Sequence, residues 1–352
     1  MLKIAFGLGL GLSFCLVAVS TGPAHSASVE RLRVAQSGGD FYRRVTSNCV
    51  DAISESAMRQ GVEIEVIDSY DSDFQTKQDA TADIFILPDV TNLAAQRPDG
   101  FQILSDAAVF AGPAHFASFL GSDYFRAAMG SVENTLLFGN KIAGYAYGST
   151  SQIFTEDKPM LTPADLYGRT MIGSFRTWWY ADLHEELGIG HDSILGHTNN
   201  VIAEQRAAVI KAADQHREGG FFILLPILMA DETVPSELRQ YVSLTMSHMM
   251  LVDFTVNNWF DLDTEGQQIV QAVIDEASMT CSERNFAAEK SALDGLNASG
   301  STIVPVDIEP FLALSRDKLA KGRAEAELNK DEILKSINKD EQSAYDAIQG
   351  LR

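Results

Sequence analysis

The fold is decided by RQYVSLTMSH, residues Arg239–His248, and by NNWFDL, residues Asn257–Leu262. The first stretch is rich in β-branched and apolar residues and predicts a strand, and the second is polar and predicts a turn. A helical pattern then begins at Thr264 and continues to about Asn297, before Gly300. Because such a helix is too long for one small domain, we expect a single continuous element that packs against two lobes.

A second stretch, KPMLTPADLYG at Lys158–Gly168, lies upstream of the first. In this order the stretches resemble the substrate-binding proteins of TRAP transporters, the DctP family, which carry RPIKTPEDLKG, then KYLSLTGH, then N-x-x-[FW]-[DN]-x-L. The resemblance extends more loosely from Arg33 to Leu314. It implies an α/β fold of the periplasmic-binding-protein type, with two lobes. Each lobe is then a mixed sheet flanked by helices, and the long helix spans both.

The resemblance also implies a function. It predicts an extracytoplasmic solute-binding protein that delivers a small ligand, either an organic acid or a relatively apolar molecule, to the permease subunits of a TRAP transporter. Catalysis and cofactors are not expected. An alternative with the same fold is a periplasmic sensor that presents its closed form to a receptor. In either case, closure of the lobes on a ligand would shift a population of open and closed forms.

The first residues indicate export to the periplasm. Met1–Lys3 is a short basic start, Ile4–Val19 is almost wholly apolar, and small residues follow. This pattern is typical of a cleaved secretory signal peptide, residues 1–26, and predicts a mature protein that begins between His25 and Ser28. The alternative is a membrane anchor, but the apolar run is near the lower limit for spanning a bilayer.

Composition limits the partners. The chain has 48 acidic against 27 basic residues, a formal net charge of −21, so nucleic acid and anionic lipid are not expected to bind. The longest later apolar stretch, Phe221–Ala230, contains Pro226 and predicts a buried strand over Phe221–Leu228 rather than a membrane span. Cys49 and Cys281 lie on apolar helical stripes, where a disulfide and two buried free thiols are both consistent with the sequence.

Strand–helix–strand order near the start predicts a parallel sheet with helices on its faces. The predicted strands are Val29–Ala35, Val62–Ile67 and Asp83–Pro88, and a helix from about Phe41 to Gln60 joins the first two. In open α/β sheets, ligands bind beyond the carboxyl ends of the strands. This rule selects three candidate ligand-binding residues, namely Ser37, Asp40 and Asp89.

The chain then leaves for a second unit through a strand at Lys141–Ser149. We expect the first strand of that unit at Gly168–Phe175, followed by helices at Trp178–Leu187 and Val201–Arg217. The segment after Phe311 is rich in Lys, Glu and Ala. It predicts one or two polar helices that pack on the outside of the protein or fray. The predicted organisation is lobe I over 27–145 and 240–262, lobe II with the spanning helix over 146–239 and 263–310, and a helical tail over 311–352.

Basic and aromatic residues near the predicted cleft are candidate ligand contacts. Arg176 and Trp178 follow the first strand of the second unit, where an arginine can clamp a carboxylate and a tryptophan can stack on a ligand. Tyr145 and Tyr147 lie where the chain crosses between the lobes. The alternative is that Arg176 is a surface charge, Trp178 packs on a helix face, and the tyrosines are structural.

The sequence departs from the family at two positions that usually contact the ligand. The arginine of the family's strand KIRV falls on Ile172 or Gly173, and the asparagine of its D-G-x-E-N-P falls on Leu225. A leucine cannot hydrogen-bond a carboxylate. One interpretation is a more apolar site, lined by Phe221 and Leu225, in which Arg176 supplies the cation. In the other, Leu225 is an ordinary core residue.

Motifs of catalysis and metal binding were sought as an alternative to solute binding. No nucleophile elbow, zinc-protease motif or phosphate loop occurs in the sequence. His184, His191 and His197 are close in sequence, but their spacing does not place them on one helical face. We therefore expect neither a metal site nor an enzyme.

Overall fold

The computed structural model describes residues 29–37, 40–70, 82–88, 109–130, 141–173, 187–194, 202–330 and 332–351. The predicted signal peptide lies outside these residues, as does the helix expected at Trp178–Leu187 apart from its last residue. Within the described part of the chain, no helix combines the length and the hydrophobicity that crossing a bilayer requires.

The first half of the molecule is built on three parallel strands. β1 (Arg31–Ser37) lies between β2 (Glu63–Tyr70) and β3 (Ile84–Pro88) and pairs with both. α1 (Asp40–Arg59) connects β1 to β2 and ends before Gly61, whose φ of 75° suits a residue without a Cβ. The predicted strand–helix–strand order is confirmed.

Two short helices, α2 (Pro113–Leu120) and α3 (Asp123–Gly130), add aromatic side chains to this half. Phe110 packs edge-on against Phe116 at a centroid distance of 4.8 Å. Phe116 in turn reaches Tyr147 at 6.0 Å. Such edge-to-face contacts stabilise the core beyond the area that they bury.

Two long antiparallel strands connect the halves. β4 (Lys141–Thr155) and β8 (Tyr241–Val256) pair over much of their length, with three shifts in the register, the largest of which lies between Ser151 and Ile153 of β4. β8 also pairs with β3, and β9 (Thr302–Pro305) pairs with β8. β8 begins at Tyr241, two residues after the start of the predicted strand, and continues well beyond His248, because apolar and β-branched residues follow.

The second half continues the same sheet. β5 (Thr170–Gly173) is parallel to both β6 (Gly190–Ser193) and β7 (Phe221–Pro226), and β7 pairs antiparallel with β4. The described strands thus form one sheet in the order β2-β1-β3-β8-β4-β7-β5-β6. Helix α4 (Ile202–His216) precedes β7.

The sequence-based end of β7 at Leu228 is wrong. β7 ends at Pro226, and a new helix, α5 (Ile227–Thr233), begins immediately afterwards. Proline has no backbone N–H to donate to a sheet ladder, and its fixed φ is compatible with the residue before a helix. The apolar run therefore divides between a strand and a helix, both of which are buried.

The long helix, α6 (Thr264–Ala298), is continuous over 35 residues, as predicted. Its first turn is capped by Asp263, whose carboxylate accepts the N–H of Gly266 at 2.7 Å. The chain leaves the helix at Gly300, where φ is 100°. α6 packs against α1 from the first half, against the connecting strand β4, and against α5 from the second half.

Cys49 of α1 and Cys281 of α6 form a disulfide, which settles the alternative that the sequence left open. Both cysteines are completely buried. The bridge joins residues 232 positions apart, so it closes a very long loop. A bridge over a loop of that length restricts the unfolded chain strongly.

Two C-terminal helices, α7 (Glu309–Asn329) and α8 (Glu332–Gln349), match the predicted tail. α7 begins on the second half, where Phe311 packs with Phe222 of β7. α8 ends on the first half, where Gln349 Nε2 donates to the carbonyl of Val109 at 2.8 Å. The tail is therefore packed against the body of the protein at both ends.

Candidate functional site

The carboxyl ends of the parallel strands define the candidate site. β1 and β3 end at Ser37 and Pro88, and these ends lie on one edge of the first half. β5, β6 and β7 are parallel to one another and end at Gly173, Ser193 and Pro226. Ligands in α/β sheets bind beyond such edges, so each half has one edge suited to binding.

The strand register shows that the two edges face each other. Pro88 pairs with Val252 of β8, which in turn pairs with Ala146 of β4. On the other side, Pro226 pairs with Ser151 of β4. We call the stretch of β4 from Ala146 to Ser151 the crossing segment. It passes directly from one carboxyl edge to the other and is completely or almost completely buried.

One side of the crossing segment is held by α6. The N–H of Tyr147 donates to Ser282 Oγ at 2.9 Å, and its carbonyl accepts from Asn285 Nδ2 at 2.8 Å. The Tyr147 hydroxyl donates to the carboxylate of Glu289, which also accepts the N–H of Thr150 at 3.3 Å. Ser282, Asn285 and Glu289 share a face of α6 because they are three and four residues apart. We call these five residues the polar lock.

The lock replaces sheet bonds that β4 loses at a bulge. The register between β4 and β8 shifts between Tyr147 and Ser149, with Gly148 as the extra residue. A Cβ at Gly148 would lie 2.9 Å from both Met250 O and Val45 Cγ1, so a larger residue does not fit. The bulge therefore turns the backbone of Tyr147 towards α6, whose side chains pair with it.

Burial perturbs both titratable groups of the lock. It raises the pKa of Glu289 to about 7, although hydrogen bonds from Tyr147 and Thr150 act in the opposite direction. Burial, and then the charge of Glu289, raises the pKa of Tyr147 well above its usual value. The tyrosine therefore stays protonated and can donate to the glutamate.

Some buried polar groups of β4, α4 and α5 have no partner among the described residues. They are the hydroxyls of Ser149 and Ser151, the hydroxyl of Thr233, and both the oxygen and the nitrogen of the Gln205 amide. Gln205 lies in the first turn of α4, which begins at the carboxyl edge after β6, and Thr233 ends α5, which begins after β7. We call these four residues the unpaired set.

An ion pair joins the two halves beside this set. Arg44 of α1 pairs with Glu232 of α5, and both side chains are partly exposed. Arg206 of α4 donates to the backbone carbonyl of Glu232 at 3.0 Å. Because Gln205 precedes Arg206 and Thr233 follows Glu232, the start of α4 and the end of α5 lie together.

Several residues predicted for the site cannot be placed at the level of the side chain. Arg176, Trp178 and Asp89 lie outside the described residues. Ser37 is the last residue of β1 and Asp40 the first of α1, so their backbones lie at the carboxyl edge, as expected. The contact of these five residues with a ligand stays a prediction.

The other predicted residues pack in the interior. Leu225 and Tyr147 are fully buried and Phe221 is nearly so, and all three belong to one apolar cluster. Tyr147 also stacks on Phe286 at a centroid distance of 4.2 Å. Tyr145 is partly buried against Phe125 at 5.3 Å. The placement of Leu225 agrees with the interpretation that it is a core residue, and its contact with a ligand stays a prediction.

Sequence analysis missed the unpaired set. Gln205 shares the buried face of α4 with Val209, Ala212 and Ala213. A glutamine on an otherwise apolar stripe is the signal that could have selected it. Ser149 and Ser151 give no comparable signal, because their burial depends on the pairing of β4 with distant strands.

Comparison with known proteins places the fold. The chain matches no family model, and no curated protein is similar to it in sequence. Solved structures are similar. A TRAP periplasmic solute-binding protein from Escherichia fergusonii, in an open form without ligand, is 18% identical, with a TM-score of 0.66 over 92% of this chain and 99% of that one.

Two further TRAP periplasmic solute-binding proteins agree. The protein from Ochrobactrum anthropi, whose own C-terminus is bound in its ligand-binding pocket, is 13% identical, with a TM-score of 0.69 over 92% of this chain and 95% of that one. The protein from Roseobacter denitrificans, with bound β-D-glucuronate, is 14% identical, with a TM-score of 0.64 over 88% and 99%. The chain therefore has the two-lobed α/β fold of periplasmic TRAP solute-binding proteins, as predicted.

Proposed function

We propose that this chain is an extracytoplasmic solute-binding protein that captures a small solute between its two halves and delivers it to the permease of a TRAP transporter. The observation that carries the proposal is the register of β4 and β8, which sets two carboxyl edges opposite each other across the crossing segment. Ligands of such folds bind at that place. Binding, rather than catalysis, is the proposed activity.

The solute class is proposed from the neighbours together with the altered pocket. Proteins of this fold were solved with D-erythronate and with sn-glycerol-3-phosphate. Both are small, oxygen-rich anions, so a small organic acid is the first candidate. The family's anion-binding arginine is expected at Ile172 or Gly173 and its asparagine at Leu225, and all three of these residues are buried and carry no polar side chain. Arg176 is proposed as the replacement cation, and Trp178 as its stacking neighbour.

The remaining parts of the proposal follow from the same function. Residues 1–26 are a signal peptide, and the mature protein acts in the periplasm, where the Cys49–Cys281 disulfide is stable. Lobe I comprises 27–145 and 240–262, and lobe II comprises 146–239 and 263–310. Two of the three proposed crossings between the lobes therefore fall at or within the long strands β4 and β8, and the third lies just before α6. The membrane permease subunits are the proposed protein partner.

Mass spectrometry tests this function directly. Protein purified natively from periplasm should release one defined small molecule on denaturation, because a closed binding protein retains its solute. That molecule, added back to refolded protein, should raise the melting temperature and remain chemically unchanged. Turnover of the molecule, or no response to any small acid or polyol, would overturn the proposal. The intact mass of the same sample should correspond to a start between His25 and Ser28.

The sensor is the second candidate, and it is favoured by the loss of polar side chains at the family's anion-binding positions, which fall on Ile172 or Gly173 and on Leu225. The two functions differ in the partner. A transport function predicts permease genes beside this gene and solute uptake that depends on the protein. A sensor function predicts neither, and it predicts instead that the closed form binds a receptor domain.

A further inference from the structure

Gln205 is the least satisfied buried side chain at the candidate site. It is completely buried on the inner face of α4, and neither its amide oxygen nor its amide nitrogen has a partner in the described part of the chain. Leaving a buried amide unpaired costs free energy, so such groups are rare in folded proteins. An unpaired amide at a binding edge therefore requires a partner, and the solute is the group that can supply one.

The position of Gln205 supports this explanation. It lies in the first turn of α4, at the carboxyl edge of β6, beside the contact of Arg206 with Glu232. The other members of the unpaired set, Ser149, Ser151 and Thr233, come from β4 and α5. Three separate elements thus carry uncharged, unpaired polar groups, and two of these groups, on Ser149 and Ser151, lie in the crossing segment between the carboxyl edges.

We propose that Gln205 contacts the solute and selects an uncharged group that can donate a hydrogen bond, such as a hydroxyl or an amide. This inference rests on the proposed solute-binding function. The Gln205 nitrogen donates and its oxygen accepts, so full pairing requires a partner that both accepts and donates. An ionised carboxylate only accepts, and it leaves the Gln205 oxygen unpaired.

The rest of the unpaired set has the same requirement. Each hydroxyl of Ser149, Ser151 and Thr233 can donate one hydrogen bond and accept others. A solute with several hydroxyl groups pairs with all four residues, whereas a simple alkanoate pairs with few. The site therefore favours a hydroxylated acid or a polyol over a deoxygenated acid of the same length. Because the set is buried without solute, the solute enters when the halves separate.

Two matched pairs of probes test the proposal: D-erythronate against butyrate, and D-glucuronate against hexanoate. The wild-type protein should show a larger rise in melting temperature with the hydroxylated member. Gln205→Met keeps the length of the side chain but removes the amide. We expect this variant to melt higher than the wild type without probe, and to bind the hydroxylated probe at least tenfold more weakly. The exposed Gln215→Met on the same helix is the control and should change neither property.

The possible results distinguish the proposed solute-binding function from the proposed role of Gln205. If neither member of either pair shifts the melting temperature of the wild type, both the proposed function and this inference fail. If the wild type binds a hydroxylated probe and Gln205→Met binds it equally well, solute binding stands and the inference is overturned. A preference of the wild type for butyrate or hexanoate also overturns it. If Gln205→Met does not fold, Gln205→Asn, which withdraws the amide by one methylene, should show the same loss of affinity.

Discussion

Two groups of buried polar residues meet at the crossing segment, and they differ in whether their side chains are paired. In the polar lock, Tyr147 and Thr150 are paired with Ser282, Asn285 and Glu289 of α6. In the unpaired set, the side chains of Ser149, Ser151, Gln205 and Thr233 have no partners among the described residues. Both groups are buried in the same protein, so burial alone does not distinguish structure from function. The two groups differ in pairing, and the proposed solute contacts belong to the unpaired one.

The two groups have different effects on the stability of the folded protein. A satisfied buried network specifies one arrangement of the backbone, because breaking any bond exposes an unpaired group to the core. An unsatisfied group destabilises the empty protein until something pairs with it. The lock therefore fixes the position of β4 on α6. Under the proposal made above, the unpaired set favours the solute-bound protein over the empty one.

The disulfide beside the lock should have the largest effect. Replacing Cys49 and Cys281 together by Ala should lower the free energy of unfolding by about 4 kcal/mol, because the long loop is then free in the unfolded chain. Denaturant titration measures this change. Reduction of the wild type with dithiothreitol should lower its stability to that of the variant and leave the variant unaffected. Equal stability of the two proteins under oxidising conditions would contradict the prediction.

Breaking the lock should come next. Asn285→Ala removes the partner of the Tyr147 carbonyl, the Val45 carbonyl and the Asn48 amide. Several groups are then buried without partners, and the free energy of unfolding should fall by about 3 kcal/mol. Asn297→Ala, at an exposed position near the end of α6, is the control and should change it by less than about 0.5 kcal/mol. If the free energy of unfolding falls no more in Asn285→Ala than in Asn297→Ala, the polar lock does not stabilise the fold.

The stability that the polar lock contributes should depend on pH, because Glu289 titrates. Its pKa is raised to about 7 in the folded protein, above the ordinary value for glutamate. A group with a raised pKa contributes stability that is complete at low pH and is lost as the pH rises through the folded pKa. The wild type should therefore lose stability between pH 5 and pH 8 relative to Glu289→Gln, by roughly 3 kcal/mol at most. Parallel stability profiles of the two proteins over this range would refute the assignment.

The same substitution should have opposite effects in the two groups. The Thr150 hydroxyl pairs with the Tyr147 hydroxyl. Thr150→Val removes this paired hydroxyl from the lock and should destabilise the protein by about 1 kcal/mol. Thr233→Val removes an unpaired hydroxyl of nearly the same shape and should stabilise it by about 1 kcal/mol. Melting curves of the two variants without solute measure the difference. Destabilisation by both would mean that the unpaired set is not distinct from the lock.

Local patterns were enough to predict much of the fold. The order of β1, α1 and β2 follows from an alternating strand, an apolar stripe and Gly61. The uninterrupted helix from Thr264 follows from its stripe and its cap. The end of β7 was missed, because an apolar run does not show where a strand changes to a helix; only Pro226 marks the place.

The site was harder to predict because it depends on long-range register. Nothing near Ser149 and Ser151 shows that they lie between two carboxyl edges, since this follows from pairing with Val252, Pro226 and their neighbours. The pairing of Cys49 with Cys281 was open for a similar reason, because each lies on an apolar stripe that suits a free thiol as well. Gln205 alone carried a local signal, as a polar residue on a buried helix face.

Amide hydrogen exchange, followed by mass spectrometry, locates the residues that the bound solute protects. The molecule released from natively purified protein is added back, and exchange is compared with and without it. The account predicts protection concentrated in the crossing segment, Ala146–Ser151, and in the first turn of α4 around Gln205, with little change in α7 and α8. Protection confined to other parts of the chain, or no protection at a concentration that raises the melting temperature, would contradict binding between the two carboxyl edges.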